Sequence, residues 1–192
     1  MIEIELKFYP VDKDEIREKL RAAGFEMTTP EFMMTRATFD APHLPGSWGR
    51  VRTEKNKITM SIKCVKSQCI TGMSESQVVV DSFESAVDFM TMAGFIKKSM
   101  QENTREIWKR GDVECTIDTW PGLEPYIEIE SELSDENAAI VAVYQAVSDL
   151  GFNKDEAMFG SSDLVYEKVM GIPSREINAL PEIIFANPPK KK

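Results

Sequence analysis

The distribution of hydrophobic and polar residues along the chain predicts three helices that all end in the same way. Apolar residues recur at helical spacing over residues 14–23, 83–93 and 135–150, and each stretch is followed directly by Gly-Phe. A glycine just past a helix adopts the left-handed conformation at low cost, and the phenylalanine after it can pack back on the last turn. Ser82 and Ser134 are the expected N-caps of the second and third helices.

Between the helices, alternation of apolar and polar residues predicts about eight strands. They span residues 2–8, 35–39, 49–54, 57–65, 75–80, 105–109, 113–119 and 126–132. Short connections such as Lys55-Asn56 and Arg110-Gly111-Asp112 suit hairpins, so most neighbouring strands should be antiparallel. The pattern predicts an α+β fold in which helices pack outside a closed or nearly closed antiparallel eight-stranded β-barrel.

One face of the first predicted strand is charged and the other is aliphatic. The strand period of two places Glu3, Glu5 and Lys7 on the same face. Four further stretches repeat the arrangement: Arg50-x-Arg52, Thr59-x-Ser61-x-Lys63, Glu114-x-Thr116-x-Asp118 and Glu128-x-Glu130. Each motif alone fits a solvated strand face. If the apolar faces meet the helices, however, the charged faces line the interior, where charges are costly unless they pair or bind a ligand.

Composition and charge limit the class of partner. A chain of 192 residues is long enough for one domain with a substantial core. The formal net charge of -9 disfavours a nucleic-acid-binding surface, which is usually basic. An acidic protein can still bind a small polyanion if its cations converge in one cavity.

The cysteines and the lengths of the apolar runs indicate the cellular compartment of the protein. Cys64, Cys69 and Cys115 contain no C-x-x-C pair, and the chain opens into a charged strand without an apolar signal segment. These features favour a cytoplasmic protein. No apolar run approaches the roughly 20 residues that a bilayer-crossing helix needs, so no membrane partner is expected.

The order of the charged motifs resembles that of the CYTH, or triphosphate tunnel metalloenzyme, superfamily. Glu3-x-Glu5-x-Lys7 is similar to the N-terminal signature of this family. The family's later landmarks follow in order along the chain: Trp48-Gly49-Arg50-Val51-Arg52, Ile58 to Lys63, Thr104-Arg105, Val113 to Pro121 and Tyr126 to Glu130. The resemblance covers residues 1–170, and the ordered set is far more specific than any single motif.

The resemblance implies a role for each landmark. Substrate phosphates would be bound by basic side chains: Lys7, Arg50, Arg52, Lys63 and Arg105. Mg²⁺ or Mn²⁺ would be bound by four carboxylates: Glu3, Glu5, Glu128 and Glu130. Arginine forks and hard oxygen ligands suit these two tasks. Glu5 and Glu130 would also act as catalytic proton acceptors, and Glu75 and Asp118 are further candidates for the site.

Three functions remain open at this point. The first is a metal-dependent phosphohydrolase that acts on a triphosphate-bearing small molecule such as tripolyphosphate, ATP or thiamine triphosphate. The second is a class IV adenylate cyclase that converts ATP to cyclic AMP and pyrophosphate. The third is a non-catalytic polyphosphate or nucleotide binder. This third option is motivated by missing basic residues: residues 73–77 offer only Glu75 where a basic residue is common in the family, and Asn103 and Thr104 stand where a lysine is common.

The last residues of the chain differ in composition from the rest. Residues 171–192 are rich in proline and end in three lysines. We expect residues 1–170 to form the CYTH-like domain and the remainder a partly disordered extension. Ile183-Ile184-Phe185 could dock on the body or on a partner. The sequence is compatible with a monomer or a homodimer.

Overall fold

The computed structural model describes residues 2–65 and 73–191, with side chains described from Ile4 onward, and Cys69 therefore lies outside the described residues. The strands are β1 (Ile2–Glu3), β2 (Glu5–Phe8), β3 (Glu26–Asp40), β4 (Ser47–Glu54), β5 (Lys57–Val65), β6 (Met73–Val80), β7 (Ile96–Arg110), β8 (Val113–Thr119), β9 (Tyr126–Ser131) and β10 (Glu182–Ile183). The helices are α1 (Lys13–Ala22), α2 (Phe83–Met92), α3 (Glu136–Asp149), α4 (Ser162–Met170) and α5 (Ser174–Ile177), with a 3-10 turn at Lys154–Glu156.

These strands form one curled sheet in the order β1-β6-β5-β4-β3-β7-β8-β9-β2, with every neighbouring pair antiparallel. β10 is added in parallel to β7. β1 and β2 are consecutive pieces of the N-terminal segment, so this one segment supplies both ends of the strand order. Its residues 2–3 pair with β6 and its residues 5–8 pair with β9. The α+β class and the antiparallel curled sheet are confirmed.

The outward-facing apolar residues of the sheet form two clusters with the helices. One cluster joins Leu6, Ile117 and Ile129 of the sheet to Leu20 of α1 and Val143 of α3, all almost fully buried. The other joins β3 and β4 to α2 through Phe39, Val51 and Met90, among others. Because strand residues alternate between faces, this packing leaves the charged positions on the opposite, concave face.

The three Gly-Phe helix ends are confirmed. Gly24, Gly94 and Gly151 have φ values of 80°, 92° and 76°. The backbone N–H of each following phenylalanine donates to a carbonyl in the last helical turn, as from Phe25 to Leu20 at 2.9 Å. Ser82 caps α2 as predicted. The prediction of Ser134 as a cap is wrong, because Asp135 caps α3 by accepting from the Ala138 N–H at 2.8 Å.

Two strands are much longer than predicted. β3 and β7 each run for 15 residues and pair along most of their length. The first part of β3 lacks clean alternation, contains Pro30 and has register shifts before Phe32, and Met33 on it is 50% exposed. In the part of β7 that the prediction missed, residues 96–104, the buried positions Ser99, Gln101 and Asn103 are polar. Because neither stretch has an alternating apolar face, neither carries the period-two signal of a strand.

The C-terminal residues pack on the body of the protein. Ile177 and Ile183 are each 1% exposed and cluster with Trp120 and Tyr166. The backbone N–H of Phe185 donates to Glu102 at 3.1 Å. Among the described residues, no helix is both long enough and apolar enough to span a bilayer.

Candidate active site

A cavity of about 1000 Å³ occupies the concave face of the sheet. It is lined by all ten candidate residues whose side chains the structure describes: Glu5, Lys7, Arg50, Arg52, Lys63, Glu75, Arg105, Asp118, Glu128 and Glu130. For Glu3 the backbone pairs with Met73, and its side chain lies outside the described residues. Side chains far apart in the sequence thus converge because alternate positions of antiparallel neighbours face the same way.

Three carboxylates form a row across the adjacent strands β2, β9 and β8. Glu5 lies opposite Glu130, and Glu130 lies opposite Glu114, an arrangement we call the acidic row. Side chains directly opposite on antiparallel strands are close neighbours, so like charges repel there. Burial, with the nearby carboxylates of Glu5 and Glu114, raises the pKa of Glu130 to about 8. The acidic row therefore favours a proton or a cation.

Lys7 lies between two carboxylates at one side of the acidic row. Its Nζ is 2.5 Å from Glu5 Oε1 and 3.3 Å from Glu128 Oε1. Burial would lower the pKa of Lys7, but Glu128 and Glu5 outweigh that effect and raise it. Burial would raise the pKa of Glu128, but Lys7, Arg105 and Lys63 lower it instead. Glu128 and Glu130, two residues apart on β9, thus have opposite electrostatic surroundings.

Arg105 of β7 is held in a fixed orientation by carboxylates on β8 and β9. Its Nε and Nη2 donate to the two oxygens of Asp118 at 2.7 and 2.6 Å, and Nη2 also donates to Glu128 at 2.7 Å. Despite burial, the charges of Asp118 and Glu128 raise the pKa of Arg105. Such a two-point contact fixes the plane of the guanidinium group. Asp118 also accepts a hydrogen bond from Asn103 Nδ2 at 3.3 Å.

Three arginines on β3 and β4 form what we call the cationic wall: Arg36, Arg50 and Arg52. Arg50 is 2.8 Å from Glu75, and Arg52 donates from Nε to Glu54 at 2.7 Å. Even so, burial and the neighbouring charge of Arg50 lower the pKa of Arg52 to about 10. Burial, Arg52 and Arg50 likewise lower the pKa of Arg36. Positive charge therefore exceeds its local compensation at the cationic wall.

Three charged residues that line this cavity have no role assigned from the sequence: Arg36, Glu54 and Glu114. The alternation already places Glu114 on the charged face of its strand, two positions before Thr116. Glu54 lies two positions after Arg52, so extending the strand period by one step identifies it as well. Arg36 lies in a predicted strand for which the sequence assigns no inner face, so no comparable signal identifies it.

The acidic row has the donor chemistry that a hard divalent cation requires. Its side chains offer only carboxylate oxygens, which suit Mg²⁺ and Mn²⁺. Within the side chains that the structure describes, no three His, Cys, Asp or Glu residues form a preassembled cage. Mg²⁺ is usually bound by one or two carboxylates together with water and substrate phosphates, so it does not require such a cage. The residues present therefore fit such an ion.

Comparison with known proteins identifies the family. The model of the CYTH domain matches residues 1–155. The chain belongs to the CYTH domain family. A Methanocaldococcus jannaschii protein provisionally named an adenylate cyclase is 28% identical over 148 residues, which cover 71% of this chain and 81% of that protein.

Solved structures share the fold of this chain. A Pyrococcus horikoshii protein superposes with a TM-score of 0.70 and 25% identity, covering 86% of this chain and 99% of its own. A Hippeastrum protein has a TM-score of 0.59 and 16% identity, covering 94% and 97% of the two chains. That protein is described as a provisional adenylyl cyclase that reveals a dominant triphosphatase activity.

Proposed function

We propose that this CYTH protein is a metal-dependent phosphohydrolase that acts on inorganic or organic triphosphates. The observation that carries the proposal is the separation of charge within one cavity. The cationic wall holds more positive charge than its partners neutralise, and the acidic row holds more negative charge than its partners neutralise. A triphosphate accompanied by a divalent cation supplies the missing charge of each sign at once.

The cavity is proposed to be a tunnel enclosed by an eight-stranded barrel. The N-terminal segment supports this, since it pairs with β6 through β1 and with β9 through β2. Enclosure would exclude bulk water and so strengthen the interaction of charged side chains with the phosphates.

The substrate phosphates would be bound by Lys7, Arg50, Arg52, Lys63 and Arg105. Their carboxylate partners support this role, because they hold the basic groups in place before substrate arrives. Glu75 lies 2.8 Å from Arg50 and 3.4 Å from Lys63, and Asp118 makes the two-point contact with Arg105. We therefore propose that Glu75 and Asp118 orient basic residues and do not bind the metal ion.

The metal ion, Mg²⁺ or Mn²⁺, would be held by Glu3, Glu5, Glu128 and Glu130. When bound, such an ion disperses the charge that develops on the phosphate oxygens. Glu5 or Glu130 would accept the proton from the attacking water at a carboxylate oxygen. Glu5 Oε1 lies 2.5 Å from Lys7 Nζ, which supports a fixed position for that carboxylate.

The extent and setting of the active unit are also proposals. Residues 1–170 would form the triphosphate-binding domain and residues 171–192 an extension that packs on it. We propose a cytoplasmic monomer or homodimer whose partner is the small-molecule triphosphate, with no nucleic-acid or membrane partner.

A second candidate function is that of a class IV adenylate cyclase. It is favoured by the name of the Methanocaldococcus jannaschii relative, which is 28% identical to this chain. Both reactions need bound triphosphate and a divalent cation. They differ in the nucleophile, which is water for the hydrolase and a ribose hydroxyl for the cyclase.

Product analysis tests these proposals. The purified protein is incubated with Mg²⁺ or Mn²⁺ and with tripolyphosphate, ATP or thiamine triphosphate in turn. Release of inorganic phosphate supports the hydrolase, whereas cyclic AMP with pyrophosphate identifies the cyclase. Tight binding without any product would identify a non-catalytic binder, and no binding of any triphosphate would contradict all three functions.

The assignment of the site is tested separately by substitution. Removing one charge-assisted contact costs about 10- to 100-fold in affinity or rate. We therefore expect losses of this size in kcat/KM for Arg52→Met and for Glu5→Gln. Arg17→Met is the matched control, because Arg17 pairs with Glu106 on the outer side of the sheet. Activity at the wild-type level in both cavity variants would contradict the assignment.

A further inference from the structure

Arg36 occupies an unusual position on the cationic wall. It lies on β3 opposite Arg52 of β4 and opposite Gln101 of β7. It lines the cavity and is only 7% exposed. The charges that act on it are those of three arginines, Arg52, Arg50 and Arg105, and of one carboxylate, Asp118.

Neutral groups hold the Arg36 side chain. One Nη donates to the Oδ1 of Asn103, and the guanidinium carbon lies 4.6 Å from the centre of the Trp120 ring. Its Nε is buried and has no hydrogen-bond partner among the described residues. Among the described side chains, Arg50, Arg52 and Arg105 each form an ion pair with a carboxylate, whereas Arg36 forms none.

This arrangement fixes the direction of a charge without cancelling it. A buried arginine with a purely structural role is usually paired with a carboxylate, since an uncompensated buried charge is costly. Asn103 and Trp120 restrict the guanidinium plane but leave its net charge intact. The neighbouring arginines make the cost greater, and burial together with Arg52 and Arg50 lowers the pKa of Arg36 accordingly.

We propose that Arg36 forms an additional phosphate-binding subsite, in which its guanidinium group binds a phosphate of a polyphosphate ligand next to Arg50 and Arg52. This inference rests on the proposed function and extends it to a residue outside the recognised charged motifs. The ligand phosphate would supply the anionic partner that Arg36 lacks and an acceptor for its Nε. The rigid support from Asn103 and Trp120 would reduce the ordering cost of binding.

A purely structural role for Arg36 makes a different prediction. If the side chain only packs between Asn103 and Trp120, its removal lowers stability but leaves the affinity of the folded protein for a polyphosphate unchanged. If it binds phosphate, removal lowers affinity and also weakens the dependence of affinity on salt, because one charge contact is lost.

Isothermal titration with inorganic tripolyphosphate in the presence of Mg²⁺, at two KCl concentrations, distinguishes these roles. We expect Arg36→Met to weaken binding about 10- to 100-fold and to flatten the salt dependence. Arg36→Lys keeps a charge but loses the fork, so we expect a loss of at least about threefold. Arg110→Met is the matched control, because Arg110 also lies over an aromatic ring, 4.5 Å from the centre of the Phe25 ring, but outside the cavity. We expect its affinity for tripolyphosphate to stay within about twofold of wild type.

The outcomes separate the subsite from the proposed function. If the wild-type protein binds tripolyphosphate and Arg36→Met binds it with the same affinity, the subsite is overturned and the proposed function stands. If Arg36→Met does not fold, as judged by circular dichroism, Arg36→Lys decides, and wild-type affinity in that variant overturns the subsite. Failure of the wild-type protein to bind tripolyphosphate overturns both.

Discussion

At the scale of single residues, Glu54 shows how a cavity charge contributes to stability. It accepts hydrogen bonds from Arg52 at 2.7 Å and from Thr59 at 3.0 Å, and Lys57 lies 3.1 Å away. Burial would raise the pKa of Glu54, but Arg52 and Lys57 lower it to about 2 from an ordinary value of 4.5. The folded protein therefore favours the ionised carboxylate of Glu54 over its protonated form more strongly than the unfolded chain does.

This difference predicts a pH-dependent contribution of Glu54 to folding. Because the folded pKa is depressed, the stabilisation is complete above the unfolded value of 4.5 and disappears as pH falls towards 2. We expect Glu54→Gln to reduce the free energy of unfolding by about 1–2 kcal/mol at pH 7, after allowing for solvent screening, and by about two fifths less at pH 3.5. Urea denaturation at the two pH values measures the difference.

A control for this experiment is Glu15→Gln. Glu15 pairs with Lys19 at 2.7 Å on the exposed face of α1, where a single pair contributes about 0.5 kcal/mol or less. An equal cost for Glu54→Gln at pH 7 and pH 3.5 would show that its charge does not stabilise the fold.

The sequence identifies individual cavity residues well wherever the strand period is clear. The alternation in Glu3-x-Glu5-x-Lys7 and Arg50-x-Arg52 selects residues for the inner face, and the described ones line the cavity. Arg36 could not be interpreted in this way, because its significance depends on Asn103 and Trp120. Those partners lie 67 and 84 residues further along the chain, and only the pairing of β3 with β7 brings Asn103 near.

At the scale of secondary structure, helix ends are easier to locate from the sequence than helix starts. The Gly-Phe signal is local and depends on a conformation that glycine favours, so it identifies all three ends. At the start of α3, however, Ser134 and Asp135 are adjacent and both are good capping residues. Only the backbone geometry selects Asp135, whose carboxylate accepts from the Ala138 N–H.

The choice of cap predicts unequal effects of two neighbouring substitutions. We expect Asp135→Ala to lower the free energy of unfolding by about 1 kcal/mol, because an N–H group in the first turn of α3 loses its acceptor. The matched substitution Ser134→Ala should change it by no more than about 0.5 kcal/mol. Thermal or urea unfolding of the two variants provides the measurement, and the reverse order would contradict the assignment of the cap.

At the scale of the whole molecule, the C-terminal residues are tied to the body of the protein by burial as well as by pairing. Ile183 is 1% exposed in the cluster around Tyr166, whereas Phe185 is 37% exposed. We expect Ile183→Ser to cost about 3 kcal/mol of stability, because it removes buried apolar contacts and buries a hydroxyl. Phe185→Ser should cost less than about 1 kcal/mol. Equal unfolding midpoints for the two variants would mean that this packing contributes little.

The proposed function predicts that substrate and metal stabilise the protein together. The triphosphate would neutralise the excess positive charge of the cationic wall, and the metal ion would neutralise the excess negative charge of the acidic row. Together they should therefore raise the free energy of unfolding by more than the sum of their separate effects. Ligand at 100 times its dissociation constant raises the free energy of unfolding by about 2.7 kcal/mol. Thermal unfolding with tripolyphosphate, with Mn²⁺, with both and with EDTA measures this coupling. Glu130→Gln should reduce the metal-dependent part, and a full tripolyphosphate effect in EDTA would contradict the coupling.

The pairing of the N-terminal segment has a consequence for how the chain folds. Residues 2–3 and 5–8 find their partners in β6 and β9, which are synthesised much later. The register of Glu5 with Glu130 therefore cannot form until the chain has been synthesised as far as β9. Contacts so distant along the chain slow folding, so we expect the candidate active site to assemble late, after formation of the β3–β7 and β4–β5 pairs.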